Sequence, residues 1–378
     1  MKMKMKMKMN IKMFPLLALG ALLPGCASDL VIPQNLDLVE DREVVNYVDA
    51  GEVPVVFATL ETTAVETTDD AADDPAIWVN PVDPSASLVL GTDKKAGVAV
   101  YRLDGSLKQF LPIGLPNNID LRQGVSIKHW HGDLAIASNR QDDTISIMSI
   151  DADGIRLMAE FPSVLPEPYG ACLGIVETAA IVFVTYKTGE VLAHQLNEIG
   201  PRFVDETLIG QIAYSSQLEG CVVDDGEGLV YVGEEEKGLW RNTIGITQGL
   251  LFFGQPVLVD HVGSQSGIVA DVEGVTLYQS AHGKYVVVSS QGNDSFAVYR
   301  ASTGNEFLGR FRIASHSMAD GAQETDGIAA SAAYMGAEFP EGVLIVQDGF
   351  NAPSGSTQNF KIVDWRDIKA ALGLNLQD

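Results

Sequence analysis

Short apolar runs that end in polar residues recur along this chain at long, regular intervals. They read Leu88-Val-Leu-Gly-Thr-Asp-Lys94, Leu134-Ala-Ile-Ala-Ser-Asn-Arg140, Ile181-Val-Phe-Val-Thr-Tyr-Lys187, Leu229-Val-Tyr-Val-Gly-Glu-Glu235, Tyr285-Val-Val-Val-Ser-Ser-Gln291 and Val343-Leu-Ile-Val-Gln-Asp348. Their last positions are 46, 47, 48, 56 and 57 residues apart. Runs of this length and composition predict strands, and recurrence at this period predicts the blades of a propeller. Most pass through a turn into a second alternating strand, as at Gly97–Tyr101, Thr144–Ile147, Ser295–Tyr299 and Phe360–Val363, which is the pattern of a hairpin. An earlier strand in each unit opens on a polar residue followed by Gly or Pro: Asp74-Pro75, Gln123-Gly124, Tyr169-Gly170, Glu219-Gly220, Glu273-Gly274 and Asp326-Gly327. Glycine at these points lets backbones crowd around a central axis, because it has no Cβ. A helical period is persuasive only from Trp365 to Leu372. The expected fold is all-β: a six-bladed β-propeller with four-stranded antiparallel blades, over residues 54–378.

Equivalent loops of a propeller meet at one mouth of its channel. The later set of repeat positions places Lys94, Arg140 and Lys187 on blades one to three, and Glu235, Gln291 and Asp348 on blades four to six. The earlier set adds Asp74, Glu219, Glu273 and Asp326, with Asp73, Asp120, Asp271 and Asp320 close by. A basic half therefore faces an acidic half. Converging carboxylates repel one another unless divalent cations neutralise them. Donors that are rich in oxygen, free of sulfur and nearly free of histidine select calcium over zinc.

The ends and the charge narrow the setting. Lys2, Lys4, Lys6, Lys8 and Lys12 precede the apolar run Phe14–Leu23 without one carboxylate, which is the grammar of an export signal. The run is far short of the roughly 20 apolar residues that a spanning helix needs. Leu23-Pro24-Gly25-Cys26 is similar to a bacterial lipobox, so residues 1–25 are expected to be a lipoprotein-type signal peptide with Cys26 as lipid anchor, ordinary cleavage being the alternative. The protein is then exported, to the periplasm or the medium, or held at the outer membrane. Residues 26–53 read as a tether or an edge strand. Formal charge is −25, and the leader carries five lysines and no acid, so the mature chain is more negative still. Such a surface repels nucleic acid, and a polyanionic substrate would need bound cations to reverse the local field. Export permits a disulfide between Cys172 and Cys221, but both sit in short apolar strands, where free buried thiols are expected.

Several chemistries drop out. His129-Trp-His-Gly-Asp133 imitates a zinc phrase but falls at a hairpin turn, with no second histidine cluster. Asp151-Ala-Asp-Gly154 and Asp224-Asp-Gly226 lack the terminal Glu of an EF-hand and read as turns. Neither Cys172 nor Cys221 has an Arg six residues later, no Arg-His dipeptide occurs, and Gly263-Ser-Gln-Ser-Gly267 has Gln where a nucleophile elbow needs Ser.

From Glu61 to Trp365 the chain resembles the β-propeller phytases, calcium-dependent enzymes that release phosphate from phytate. The resemblance rests on Asp70-Ala-Ala-Asp-Asp-Pro-Ala-Ile-Trp78 with Glu61 upstream, Asp93-Lys-Lys-Ala-Gly97, Asn117-Asn-Ile-Asp-Leu-Arg122, Glu234-Glu235, Asp271-Val-Glu-Gly274, Ser289-Ser-Gln-Gly-Asn293, Gln347-Asp-Gly349 and Gln358-Asn-Phe-Lys361. It implies several calcium ions, phytate or calcium-phytate as substrate, attack by a metal-activated water, and a monomer. It also implies roles. Asp73, Glu219, Glu235, Asp271, Glu273, Gln291 and Asp320 would be calcium ligands or position water. Tyr169 would bridge calcium and phosphate, while Lys94, Arg140 and Lys187 would grip phosphate oxygens. Glu61, Asp74, Asn118, Asp120, Asp326, Asp348 and Asn351 would be further calcium ligands, the alternative being that they support the ligands or shape turns. Phe350 stands where the family often carries an acid, which weakens a peripheral site at Asp348 and Asn351. Two other readings stay open at this point: a calcium-stabilised propeller that only binds, and a propeller lactonase or phosphotriesterase.

Overall fold

The computed structural model describes residues 53–374 apart from 303, 318 and 353–355. The expected leader, the Cys26 anchor and nearly all of the 26–53 tether lie outside the described residues. No helix among the described residues is long and apolar enough to cross a membrane.

Six sheets form from successive stretches of chain, each hydrogen-bonded in sequence order apart from two short strands near the start that join the last two sheets. The first comprises Ala72–Trp78, Leu88–Asp93, Gly97–Arg102 and Leu107–Leu111. The first strands of the six blades are Ala72–Trp78, Pro116–Ile127, Pro168–Val176, Leu218–Asp224, Val272–Gln279 and Ile328–Ser331, and each touches the next until the last returns to the first. This closed ring of inner strands makes the protein a six-bladed β-propeller.

The apolar runs are long because the blades stack face to face. One buried apolar layer lies between each neighbouring pair: Leu90, Val98 and Val100 meet Ala135, Ala137 and Met148 between blades one and two, and Phe183, Ala193, Val230 and Val232 fill the space between blades three and four. A strand covered on both faces has no polar side to alternate with. Leu-Val-Leu and Val-Leu-Ile-Val are therefore continuous rather than period-two.

The ring is closed by chain from both ends. Leu60–Glu61 pairs antiparallel with Asn359–Asp364 as the outer strand of blade six. Just before it, Val55–Phe57 pairs in parallel with Phe307–Ala314 on blade five. The four-stranded antiparallel expectation thus holds with two additions: this parallel strand, and Val257–His261 beside Gly238–Thr247 on blade four. The single α-helix among the described residues, Trp365–Leu372, lies where its period placed it. Asp364 caps it by accepting from the Arg366 amide at 2.9 Å, and Trp365 stacks on Tyr278 with ring centroids 3.7 Å apart.

Cys172 and Cys221 form a disulfide, against the expectation of free thiols. Their separation of 49 residues is about one blade repeat, so inner strands of blades three and four bring them side by side with Cα atoms 5.8 Å apart.

Candidate active site at the channel mouth

The site begins with a backbone irregularity that repeats around the ring. Five inner strands slip register at one equivalent point: between Ala72 and Pro75, Pro116 and Ile119, Pro168 and Ala171, Leu218 and Cys221, and Val272 and Val275. In blade six, Asp326-Gly327 comes directly before the strand that opens at Ile328. Bulges re-aim side chains and are frequent at active sites. Here they present Asp73, Asn117, Tyr169, Glu219 and Glu273 from five blades, with Asp326 from the sixth.

The next residue is glycine in blades three to six, and the reason is contact between backbones. A Cβ on Gly170 would lie 2.0 Å from the Glu219 carbonyl oxygen, and one on Gly220 would lie 2.3 Å from that of Glu273. Blades one and two carry Asp74 and Asn118 instead. Asp74 accepts from the Ile119 amide at 3.0 Å, so its carboxylate fastens blade one to blade two. The sequence pairs Asp74-Pro75 and Gln123-Gly124 are thereby corrected to Asp73-Asp74 and Asn117-Asn118, because a search for glycine misreads the two blades that use a side chain there. Hydroxyls on the second strands lock the ring: Ser138 donates to the Tyr169 carbonyl at 2.6 Å, Thr185 to that of Glu219 at 2.8 Å, and Ser289 to that of Thr325 at 2.7 Å.

Glu219, Glu235 and Glu273, all buried, each offer an oxygen within 4.8 Å of the others'. Asn117, which the sequence reading gave no role, holds this group from the side: its Nδ2 donates to Glu219 Oε1 at 2.8 Å and to Asn118 Oδ1 at 2.9 Å. The repeat spacing from Asp73 to Tyr169 was the available signal for Asn117. Gln291 Nε2 donates to Asp326 Oδ1 at 2.6 Å, and the Gln291 amide donates to the Asp271 carbonyl at 2.9 Å. Asp73 Oδ1, Glu273 Oε2 and Gln291 Oε1 are buried without a hydrogen-bond partner.

Crowding and burial show in the protonation equilibria. Burial pushes Asp73 up to about 7 despite the Lys94 charge, and Asp326 to about 7 likewise. Burial and the Glu235 and Glu219 charges hold Glu273 well above the carboxylate range, and burial with the Asp326 charge raises Glu219. Tyr169 is raised by burial and by Glu219, Glu273, Glu235 and Asp73, which keeps it a neutral phenol.

The three cations are not equivalent. Lys94 lies among acids, its Nζ 2.8 Å from Asp70, 3.1 Å from Asp73 and 3.2 Å from Asp326. Blade one abuts blade six in the closed ring, so the division into basic and acidic halves fails at that seam. Arg140 is half-buried with Nε lacking a partner, and Lys187 is exposed, its ammonium 4.2 Å from the centre of the Tyr169 ring.

The remaining expected ligands fall elsewhere. Asp120 lies on the wall of a channel cavity of about 250 Å³, paired with Arg122 at 3.2 Å and accepting from the Leu173 amide at 2.8 Å. Arg122 also reaches Asp225 at 3.0 Å. Asp74 and Asn118 line the same cavity. Glu61, Asp320, Asp348 and Asn351 do come together, but around an ammonium. Lys361, with no exposure, lies 2.7 Å from Glu61, 3.1 Å from Asp348 and 3.4 Å from Asn351 Oδ1, and also contacts Asp320. Phe350 is half-exposed and offers this nest only its amide, to Asp348 Oδ1 at 3.2 Å.

A six-bladed propeller with buried carboxylates projecting from inner-strand bulges, and cations at the same mouth, defines the class of this protein. The protein-family model described as phytase matches residues 21–378. The chain is 34% identical over 351 residues to a 3-phytase of Bacillus subtilis (strain 168), spanning 89% of this chain and 91% of that protein. It belongs to the phytase family. Among solved structures, an alpha-L-arabinanase of Penicillium chrysogenum complexed with arabinobiose superposes with a TM-score of 0.51 at 12% identity, over 82% of this chain and 99% of that one, a likeness of fold alone.

Proposed function

We propose that this enzyme releases phosphate from phytate, myo-inositol hexakisphosphate, with calcium ions held in the carboxylate cup and water as the attacking group. The observation that carries this reading is the meeting of Glu219, Glu235 and Glu273 within 4.8 Å beside unpartnered oxygens of Asp73, Glu273 and Gln291. A buried set made only of oxygen donors, several of them lacking a partner, suits calcium. Calcium, when bound, supplies neutralisation of the cup and lowers the pKa of water. Asp73, Glu219, Glu235, Asp271, Glu273, Gln291 and Asp326 are the residues that would hold it.

The side chains do the rest. Arg140 can give two parallel hydrogen bonds to phosphate oxygens, and Lys187 adds a compact charge above the Tyr169 ring. Together they orient phosphorus for in-line attack and offset charge that spreads over its equatorial oxygens. The water must lose a proton as it attacks. The carboxylates that crowd this mouth are the groups placed to accept it. A binding-only module would have no use for Arg140 and Lys187, and a neutral ester gives no reason for two cations. The expected result is phosphate release from phytate by purified protein with calcium, abolished by chelator and restored by adding calcium back. Full activity in chelator would reject the reading.

We also propose that the protein is exported and lipidated at Cys26. The lysine-rich start, the run Phe14–Leu23 and Leu23-Pro24-Gly25-Cys26 support it. An inhibitor of lipoprotein signal peptidase should make a larger precursor accumulate in cells, and an unchanged size would contradict lipidation.

A further inference from the structure

Lys94 is where the proposed phosphate grip and the proposed cation cup overlap. An ammonium has three protons to donate. Those of Lys94 face three carboxylates, at 2.8 Å from Asp70 Oδ1, 3.1 Å from Asp73 Oδ2 and 3.2 Å from Asp326 Oδ2. Only 12% of the side chain is exposed, which leaves no open approach for a further oxygen while those contacts last. Two of the partners belong to the cup. Asp326 is also bound by Gln291, and Asp73 keeps a second oxygen without a hydrogen-bond partner. Arg140 and Lys187 differ, since neither forms an ion pair among the described residues.

We propose that Lys94 is a resident countercation of the cup, which a divalent cation displaces. Binding of calcium to Asp73 and Asp326 neutralises the carboxylates that hold the ammonium, and the released ammonium becomes the third donor to phosphate. Cation loading and substrate grip are then linked, and linkage is reciprocal: bound substrate, by keeping Lys94 away from the carboxylates, tightens the hold on calcium. Before loading, the lysine offsets part of the repulsion among the buried acids. Lysine suits the role as a compact charge on a flexible stem, able to leave one set of oxygens for another.

This inference rests on the calcium reading above, and one experiment separates the two. Calcium is titrated calorimetrically into the full-length protein without substrate, for the parent, Lys94→Met and Glu273→Gln. Lys94→Met should bind calcium on the order of tenfold more tightly than the parent, because a like charge leaves the site and two carboxylates are freed. Glu273→Gln should bind it more weakly. Equal or weaker binding by Lys94→Met, with Glu273→Gln impaired, overturns the countercation role and leaves the cup intact. Unchanged binding by Glu273→Gln overturns the cup reading and this inference with it. Lys94→Gln, which keeps hydrogen-bond donors without the charge, gives the same readout should the methionine variant fail to fold.

Discussion

Replacing Arg140 or Lys187 by alanine lowers phosphate release from phytate by about 10²- to 10³-fold, the usual effect of removing one preorganised donor to transition-state charge. The fold is retained in both variants. Lys187 is exposed and rests on the Tyr169 ring, so alanine there leaves no buried group unpaired. Arg140 has a buried Nε without a partner, and truncating it relieves an unsatisfied donor rather than creating one. The loss should appear in kcat as well as in kcat/KM, because charge on the equatorial oxygens grows toward the transition state. Steady-state phosphate release, with thermal unfolding of the same samples, checks it. Turnover like the parent's in both variants would remove them from the mechanism.

How much of this site the sequence discloses depends on the kind of signal each part leaves. The second strands of the blades end at their repeat positions because both faces are covered, and uninterrupted apolar runs with a fixed polar end are easy to register. Tyr169, Glu219 and Glu273 were legible for a related reason: the glycine after each is demanded by a neighbouring backbone. Asn117 was not, since its blade replaces that glycine with Asn118. The closing strands Val55–Phe57 and Leu60–Glu61 span three residues and two, too short for any period to show. Lys361 was hidden in another way. A lysine in a strand normally argues for an exposed face, and its partners lie up to 300 residues away, visible only once the ring is closed. The disulfide shares that property, because nothing local distinguishes two apolar-strand cysteines that neighbouring blades will bring together.

Lys361→Met is expected to reduce the free energy of unfolding by about 3–5 kcal/mol, the range for deleting one member of a buried charge cluster. The side chain has no exposure, and its removal leaves Glu61, Asp320 and Asp348 repelling one another across the space it filled. In the parent burial pushes Asp348 up to about 6 against the lowering effect of Lys361, so its carboxyl rises further in the variant and part of the loss is recovered by protonation as pH falls. In sign, a folded-state pKa above the unfolded value means the acid form favours folding, and the variant should lose stability as pH rises through the raised Asp348 pKa. Urea unfolding in chelator measures this directly. Were calcium the cation of this nest, chelator alone would destabilise the parent and the substitution would add little; with the ammonium in place, the parent's closure holds in chelator and the variant's does not.

The strands that close the ring have a consequence for how the chain is made. Leu60–Glu61 leaves the ribosome about 300 residues before its partner Asn359–Asp364. No order of local folding during synthesis can therefore complete the ring. Until Asn359–Asp364 is made, Leu60–Glu61 has no strand to pair with and its edge is open. Contacts separated by about 300 residues also close slowly. The closing pair forms only after all six blades exist, which makes closure of the ring a late step of folding.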